Sequence, residues 1–280
     1  MIKIVTDSSV QLTEQEIKDN HINIIPLTIT IDGQSYIDDQ DITRDEFIQK
    51  MITAKTLPKT SQPSLGTFVD LFNKLGADGS QVLAIHMMRA ISGTVETARQ
   101  AAQMSDSDVT VIDSDFTDRA MGFQVLAAAK LANEGADMAT ILAKVKQVHD
   151  HTKLYMGIVD LDNMVKGGRL SRVAGVISNL LNIKIVLDVN KTLEVIRKGR
   201  GMKTINKFID DFVKQMQQTS HVAAIGISHA DALATANSIK DKLQPIFPNL
   251  DILVRTTDPV IATHSGIGAF AVMYYTDEDK

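Results

Sequence analysis

Short runs of aliphatic and β-branched residues alternate along the chain with stretches whose apolar residues recur every three or four positions. The runs at 2–5, 82–87 and 109–113 predict strands, and the stretches at 95–104 and 119–133 predict the helices that follow two of them. Strands that alternate with helices are typical of a largely parallel α/β sheet. We therefore predict an α/β fold with a mostly parallel sheet in the N-terminal part.

Local signals place several boundaries in this first part. Thr13 with Glu16 and Thr43 with Glu46 form capping boxes, which predict two helix starts. Residues 22–31 predict one long strand, and a hairpin turn at 32–33 leads to a strand at 34–37. Residues 57–64 carry two prolines and three hydroxyl side chains, which predicts a loop ending at the helix cap Ser64.

The pattern changes after residue 160. Two apolar runs, 183–189 and 193–197, flank a turn at 190–191 and predict an antiparallel pair. Helices at 203–217 and 232–243 and strands at 222–227, 252–255 and 269–275 follow. We expect a C-terminal α/β domain with a mixed sheet flanked by helices, and we divide the chain into domains 1–155 and 156–280.

Composition narrows the classes of function. Hydrophobic residues make up 44% of the chain and the formal net charge is −5, which argues against disorder and against a general nucleic-acid-binding surface. The absence of cysteine excludes disulfides and thiolate chemistry, and no apolar stretch reaches 18 residues. We expect a cytoplasmic protein without an integral membrane segment. With 12 methionines, no tryptophan and 5% aromatic residues, a cavity would be lined by aliphatic and thioether groups.

The common sequence motifs of catalytic and cofactor-binding sites are absent or lack the surrounding sequence that they require. A phosphate-binding P-loop is absent, and the G-x-G-x-x-A match at 266–271 leaves no room for a dinucleotide-binding unit before the chain ends. The segment His149-Asp150-His151 ends a helical stretch, and we interpret it as solvated surface. We expect neither a metal nor a cofactor.

Three loop segments offer polar donors. Thr60-Ser61-Gln62-Pro63-Ser64 precedes a helix, Ser92-Gly93-Thr94 follows a strand and opens a helix, and Thr263-His264-Ser265-Gly266 is expected to end an apolar strand. The polar side chains of each segment can simply hydrogen-bond to the neighbouring backbone, as they do in ordinary turns and helix caps. Together their hydroxyl, backbone N–H and imidazole groups suit one carboxylate or phosphate. The pattern alone leaves both interpretations open.

These segments, with others, resemble the DegV family. The resemblance spans nearly the whole chain and is carried by Thr6-Asp7-Ser8-Ser9, Ile25-Pro26-Leu27, Lys59-Thr60-Ser61-Gln62-Pro63-Ser64, Ser92-Gly93-Thr94, Val165-Lys166-Gly167-Gly168-Arg169-Leu170-Ser171 and His264-Ser265-Gly266. Two positions depart from the family pattern: Ile91 stands where a second serine is frequent, and Ile267 separates two glycines where proline is frequent.

The resemblance implies a two-domain DegV-like fold that holds one long-chain fatty acid in a tunnel between the domains. It implies that the carboxylate is bound by Thr60, Ser61, Ser92, Gly93 and His264. In the family's kinase system a separate ATP-binding fatty acid kinase subunit phosphorylates the carboxylate, and the acyl phosphate enters phospholipid synthesis. By this likeness the protein is a bacterial lipid-binding, substrate-presenting subunit without catalytic turnover of its own.

A basic run at 197–207 contains no acidic residue although the whole chain is net negative. The resemblance places Arg169 near the mouth of the fatty-acid site. We expect Arg169 and Arg200 to contact the kinase subunit or the transferred phosphate, because arginine offers a rigid fork of donors. The alternative is a solvated helix start.

Two other functions stay open. The first is a hydrolase that uses Ser92 and His264 with an acidic residue such as Asp7. The second is an interaction protein that responds to acyl supply.

Overall fold

The computed structural model describes residues 1–174 and 182–277. The strands are β1 (Ile2–Asp7), β2 (Asn23–Ile25), β3 (Thr28–Ile31), β4 (Gln34–Ile37), β5 (Lys59–Ser61), β6 (Gln81–His86), β7 (Val109–Asp113), β8 (Thr152–Ile158), β9 (Val173–Ala174), β10 (Ile183–Asn190), β11 (Thr192–Arg200), β12 (Val222–His229), β13 (Leu253–Thr256) and β14 (Phe270–Thr276). The helices are α1 (Glu14–Asp19), α2 (Arg44–Thr53), α3 (Leu65–Gly76), α4 (Thr94–Met104), α5 (Asp118–Asn133), α6 (Met138–Asp150), α7 (Asp162–Lys166), α8 (Lys203–Met216), α9 (Leu233–Leu243) and α10 (Pro259–Ser265).

The N-terminal part contains a parallel sheet of order β2-β1-β6-β7, as predicted. Successive side chains of β1 point to opposite faces, so Val5 packs with Phe68 and Phe72 of α3, whereas Ile4 belongs to the core on the α5 side. Helices therefore cover both faces of the sheet, the arrangement expected of parallel strands.

The C-terminal sheet is mixed, with order β13-β12-β14-β8-β10-β11-β9. The predicted antiparallel pairing of β10 with β11 is confirmed, whereas β12 and β13 are parallel. Phe208 and Phe212 of α8 pack on Tyr155 at one face, and α5 contacts β8, β12 and β14 on the other. We keep the domains 1–155 and 156–280 as a proposal; their boundary falls inside β8, which pairs with β10 and β14.

A third sheet of order β4-β3-β5 corrects two predictions. Residues 22–31 form two strands, because Pro26 interrupts the run; β2 joins the parallel sheet and β3 joins the small one. Residues 59–61 of the predicted loop form β5, in which Thr60 lies opposite Ile29. The prolines at 58 and 63 bracket this short edge strand rather than excluding it.

The segment around His264 corrects a third prediction, because it is helix α10 and not the end of a strand. The Asp258 side chain accepts the Val260 N–H at 2.8 Å, Pro259 occupies the first turn, and Gly266 closes the helix with φ of 81°. An acidic cap, an initial proline and a terminal glycine are helix signals that outweigh the apolar run.

No helix within residues 1–174 and 182–277 combines the length and the apolar character needed to cross a membrane.

Crowding at Gly157 of β8 gives a test of the packing. A Cβ there would lie 2.2 Å from Cε1 of the buried Phe270 ring. We expect Gly157→Ala to lower the free energy of unfolding by about 1–3 kcal/mol, because the ring has no room to move. Urea unfolding measures this change.

Gly66→Ala is the matched control, because its Cβ would meet only the Ser64 hydroxyl at 3.9 Å. Equal stability of the two variants would contradict the described contact between β8 and β14.

Candidate ligand-binding site

A cavity of about 320 Å³ lies where the three sheets meet. Its apolar wall comes from both halves of the chain and consists of Leu27, Met87, Met88, Ile91, Met156, Met164, Val189, Leu193, Val260 and Ile261. Its polar residues are Thr60, Ser61, Gln62, Ser92, Gly93, Thr117, Arg169, His264 and Ser265. Among these described lining residues the imidazole of His264 is the single ring, as the composition suggested. An apolar chamber with grouped donors is typical of a small-molecule site.

Thr60 and His264 meet although 204 positions separate them. Pairing of β5 with β3 brings Thr60 to the cavity, and the last turn of α10 brings His264. The Thr60 Oγ1 lies 3.0 Å from the His264 Nε2. A Cβ on Gly167 would lie 2.5 Å from the His264 Nδ1, so the glycine makes room for the ring.

The Ser92 segment contributes a hydroxyl beside the start of α4. The Ser92 and Thr94 hydroxyl oxygens are 2.8 Å apart, and the Thr94 N–H donates to the Ser92 Oγ at 3.3 Å. Gly93 is the N-cap residue, and its missing side chain makes room for Gln62, whose Oε1 would lie 2.4 Å from a Cβ. Two predicted segments therefore contact each other through Gln62 and Gly93.

Arg169 lines the same cavity, and Arg200 does not. The Arg169 Nε donates to the Ile91 carbonyl at 3.2 Å, and its Nη1 donates to the Gly167 carbonyl at 2.8 Å. Arg200 ends β11 with an exposed side chain. The structure thus groups Arg169 with Thr60, Ser61, Ser92, Gly93 and His264, and it places Arg200 on a separate surface.

Sequence comparison decides the family. A family model described as "Uncharacterised protein, DegV family" matches residues 1–277. The chain belongs to the DegV family. A DegV domain-containing protein of Streptococcus pneumoniae serotype 4 is 47% identical over 273 residues, which are 97% of each chain. One from Listeria monocytogenes is 41% identical over 278 residues, 99% of each chain.

Solved DegV structures share the fold. DegV from Bacillus subtilis, described as a fatty acid binding protein, aligns with a TM-score of 0.89 and 28% identity over 99% of each chain. A fatty acid binding DegV family protein from Streptococcus agalactiae aligns with a TM-score of 0.87 and 30% identity, again over 99% of each chain. The mixed α/β architecture predicted from the sequence is therefore the DegV architecture.

Several lining residues of this DegV family member were missed by sequence reasoning. Thr117 lies in the β7–α5 loop, where its hydroxyl donates to the Ser9 Oγ at 3.3 Å. The buried Ser265 Oγ has no hydrogen-bond partner among the described residues. Gln62 and Ser265 lie inside the predicted donor segments 60–64 and 263–266, so the sequence could have identified them. No sequence pattern marks Thr117, because only the packing of α5 brings it to the cavity.

Asp7, the acidic residue named for the hydrolase hypothesis, is engaged away from His264. The Asp7 carboxylate accepts the Ser9 hydroxyl at 2.5 Å and the Met87 N–H at 2.9 Å, and it lies 3.0 Å from the His86 Nδ1. Burial raises the pKa of Asp7, but the bonds to His86 and Ser9 outweigh it and hold that pKa below its ordinary value. Asp7 is therefore bound to His86 rather than to His264.

A larger cavity of about 1290 Å³ lies elsewhere, between α1, α2 and the β12–β13 edge. Its rim carries the exposed carboxylates of Glu14, Asp39, Asp45, Glu46 and Asp231. Arg44, Lys50 and Arg255 line it as well, so its charges are mixed. The predicted donors Thr60, Ser61, Ser92, Gly93 and His264 line only the smaller cavity.

The segment His149-Asp150-His151 is only partly solvated surface. The His149 Nε2 lies 3.0 Å from Asp115 Oδ2, and its ring packs on Phe116, whereas Asp150 is exposed. Within the described ranges, no three His, Asp or Glu side chains are grouped as metal ligands.

The His264 imidazole is held neutral. Burial lowers its pKa from 6.5 to about 4, and the nearby charge of Arg169 adds to the shift. Because the unfolded chain binds this proton near pH 6.5, His264 reduces the free energy of unfolding as the pH falls from there towards about 4.

We expect the His264 ring of the ligand-free protein to remain neutral from pH 8 to about pH 5, as measured by imidazole ¹⁵N NMR. Arg169→Gln should raise the pKa of His264, because it removes the second cause of the shift. Lys130→Gln, on an exposed position of α5, is the control. A wild-type midpoint near 6.5 would contradict the buried placement of the ring.

Proposed function

We propose that this protein binds one long-chain fatty acid in the cavity where the sheets meet. Its carboxylate is bound by Thr60, Ser61, Ser92, Gly93 and His264, and its acyl chain lies among the methionine and aliphatic side chains. The observation that carries this proposal is the grouping of hydroxyl, imidazole and guanidinium donors along one apolar cavity. The fatty acid binding proteins from Bacillus subtilis and Streptococcus agalactiae, at 28% and 30% identity, support it.

The energetics favour such a ligand. Each methylene group that leaves water contributes roughly 0.8 kcal/mol, so a chain of about 15 methylenes contributes on the order of 12 kcal/mol before ordering costs. A buried carboxylate is costly unless donors satisfy it. The hydroxyls of Thr60 and Ser92 and the charge of Arg169 meet that requirement.

We further propose that the protein has no catalytic turnover of its own and presents the carboxylate to a separate ATP-binding fatty acid kinase subunit in the cytoplasm. The sequence contains no P-loop, so a phosphoryl donor would be bound by the partner. Arg169 lies beside the carboxylate donors, where it can contact both the ligand and the transferred phosphate. Arg200, outside the cavity, is assigned to the partner surface alone.

The ligand is tested by extraction. We expect mass spectrometry of an organic extract of the purified protein to identify a fatty acid in about one equivalent. Thr60→Val, Ser92→Ala and His264→Ala should each weaken palmitate binding about 5- to 150-fold, because each leaves the carboxylate short of one hydrogen bond, worth about 1–3 kcal/mol.

Thr30→Val is the control, because this β3 hydroxyl bonds the exposed Ser35 and lies outside the cavity. An extract without an acyl chain, together with undiminished binding by all three variants, would refute the assignment.

The partner surface has its own test. Arg200→Gln should slow acyl phosphate formation by the kinase subunit with ATP, while palmitate affinity stays at the wild-type value. The difference should shrink as salt is raised, because salt screens exposed charges. Lys130→Gln serves as the charge-matched control. Full kinase-dependent activity of the Arg200 variant would show that docking occurs elsewhere, and palmitate binding without acyl phosphate would favour an acyl-responsive interaction protein.

A further inference from the structure

Two polar residues of the cavity, Thr117 and Ser265, are not among the proposed carboxylate donors. Of those donors, Ser61 and Gly93 are exposed and Ser92 is half-buried. Thr117 and Ser265, by contrast, are 0% and 6% exposed. The carboxylate donors therefore mark the mouth of the cavity, and Thr117 and Ser265 belong to its interior, which the proposed ligand fills with its acyl chain.

The Thr117 hydroxyl has already used its one hydrogen. It donates to the Ser9 Oγ at 3.3 Å, and Ser9 donates its own hydrogen to Asp7 at 2.5 Å. Thr117 is the N-cap residue of α5, yet its side chain accepts no N–H group of that helix. Because a hydroxyl has one hydrogen and two lone pairs, the Thr117 oxygen can act only as an acceptor towards a ligand.

Asp7 fixes the direction of this chain of hydrogen bonds. Its carboxylate accepts the Ser9 N–H at 3.2 Å and the Met87 N–H at 2.9 Å, and it lies 3.0 Å from the His86 Nδ1. Burial raises the pKa of Asp7, but the bonds to His86 and Ser9 hold that pKa below its ordinary value. Since a carboxylate only accepts, Ser9 donates to Asp7 and Thr117 donates to Ser9.

Ser265 offers the complementary group. It is the last residue of α10, one turn after the cavity residue Ile261. Its buried Oγ has no hydrogen-bond partner among the described residues, so its hydrogen is available to a ligand. A buried hydroxyl without a partner is unfavourable, and a ligand atom that accepts its hydrogen removes that cost.

A hydroxyl group on the ligand satisfies both residues, because it can donate to the Thr117 oxygen and accept the hydrogen of Ser265. An unsubstituted acyl chain can do neither, and a ketone in the chain can only accept. We propose that the interior of the cavity recognises a hydroxyl group on the acyl chain, so that the preferred ligand is a long-chain hydroxy fatty acid. This inference rests on the proposed function and names its ligand class, with Thr117 and Ser265 as the residues that determine specificity.

The test compares the affinities of ligand-free wild type, Thr117→Val and Ser265→Ala by calorimetric titration. The probes are stearate, a series of monohydroxystearates that differ in the position of the hydroxyl, and the oxostearate that matches the tightest of them. Thr263→Val is the matched control on α10, because the buried Thr263 hydroxyl donates to the Pro259 carbonyl at 2.8 Å and does not line the cavity.

We expect one hydroxystearate to bind wild type and Thr263→Val about tenfold more tightly than stearate, because it forms two hydrogen bonds that stearate lacks. The matching oxostearate should bind wild type more weakly than that hydroxystearate, because it has no hydrogen for Thr117. Thr117→Val and Ser265→Ala should each abolish the tenfold advantage, while their affinity for stearate stays within about threefold of wild type.

The outcomes separate this inference from the proposed function. If wild type binds stearate and binds every hydroxystearate equally or more weakly, the inference is overturned and the proposed function stands. An advantage that persists in both variants would also overturn it. If wild type binds neither stearate nor any hydroxystearate, the proposed function itself fails. Should one variant fail to fold, the other variant and the wild-type comparison of hydroxystearate with oxostearate carry the test.

Discussion

The packing of α5 between the two large sheets is the contact on which the rest of the structure depends. One side of this helix meets β1 and β6, and the other meets β8, β12 and β14. Its buried alanines, among them Ala120, Ala128 and Ala129, allow the sheets to approach closely. Gly226 of β12 also allows α5 to lie close to the sheet, because a Cβ there would lie 2.5 Å from the Arg119 side chain. The spacing of the two sheets, and therefore the cavity between them, follows from this helix.

The cavity places the polar groups at loops and the apolar groups on strands and helices. Thr60, Ser92 and His264 come from an edge strand, a helix entry and a helix end, where side chains are free to face a ligand. Met87, Met88, Met156 and Met164 line the wall, and the flexible thioether chain adapts to an acyl chain better than a rigid ring does. The two nitrogen side chains differ in what they offer a ligand. The guanidinium of the half-buried Arg169 supplies a positive charge, and the neutral imidazole of His264 supplies a directed hydrogen bond.

Much of the fold was predictable because its signals are local. The capping boxes at Thr13 and Thr43 form as predicted, and both N3 glutamates bond back to the cap. Where prediction failed, a tertiary contact overrode the local pattern. Pro26 sends β2 and β3 to different sheets, and β5 exists only because β3 offers it a partner. The prediction at α10 was wrong for a local reason, because the Asp258 cap, Pro259 in the first turn and the terminal Gly266 favour a helix over the strand that the apolar run indicates.

The sequence by itself determined the alternation of strands and helices, the family, and the identity of the donor segments, because these properties are carried by residue type and order. It could not show that Thr60 and His264 lie 3.0 Å apart, that Arg169 shares their cavity, or that Arg200 does not. Only the tertiary structure decided these contacts, because α5 and the small sheet bring distant segments together and burial then changes the pKa of the groups they enclose.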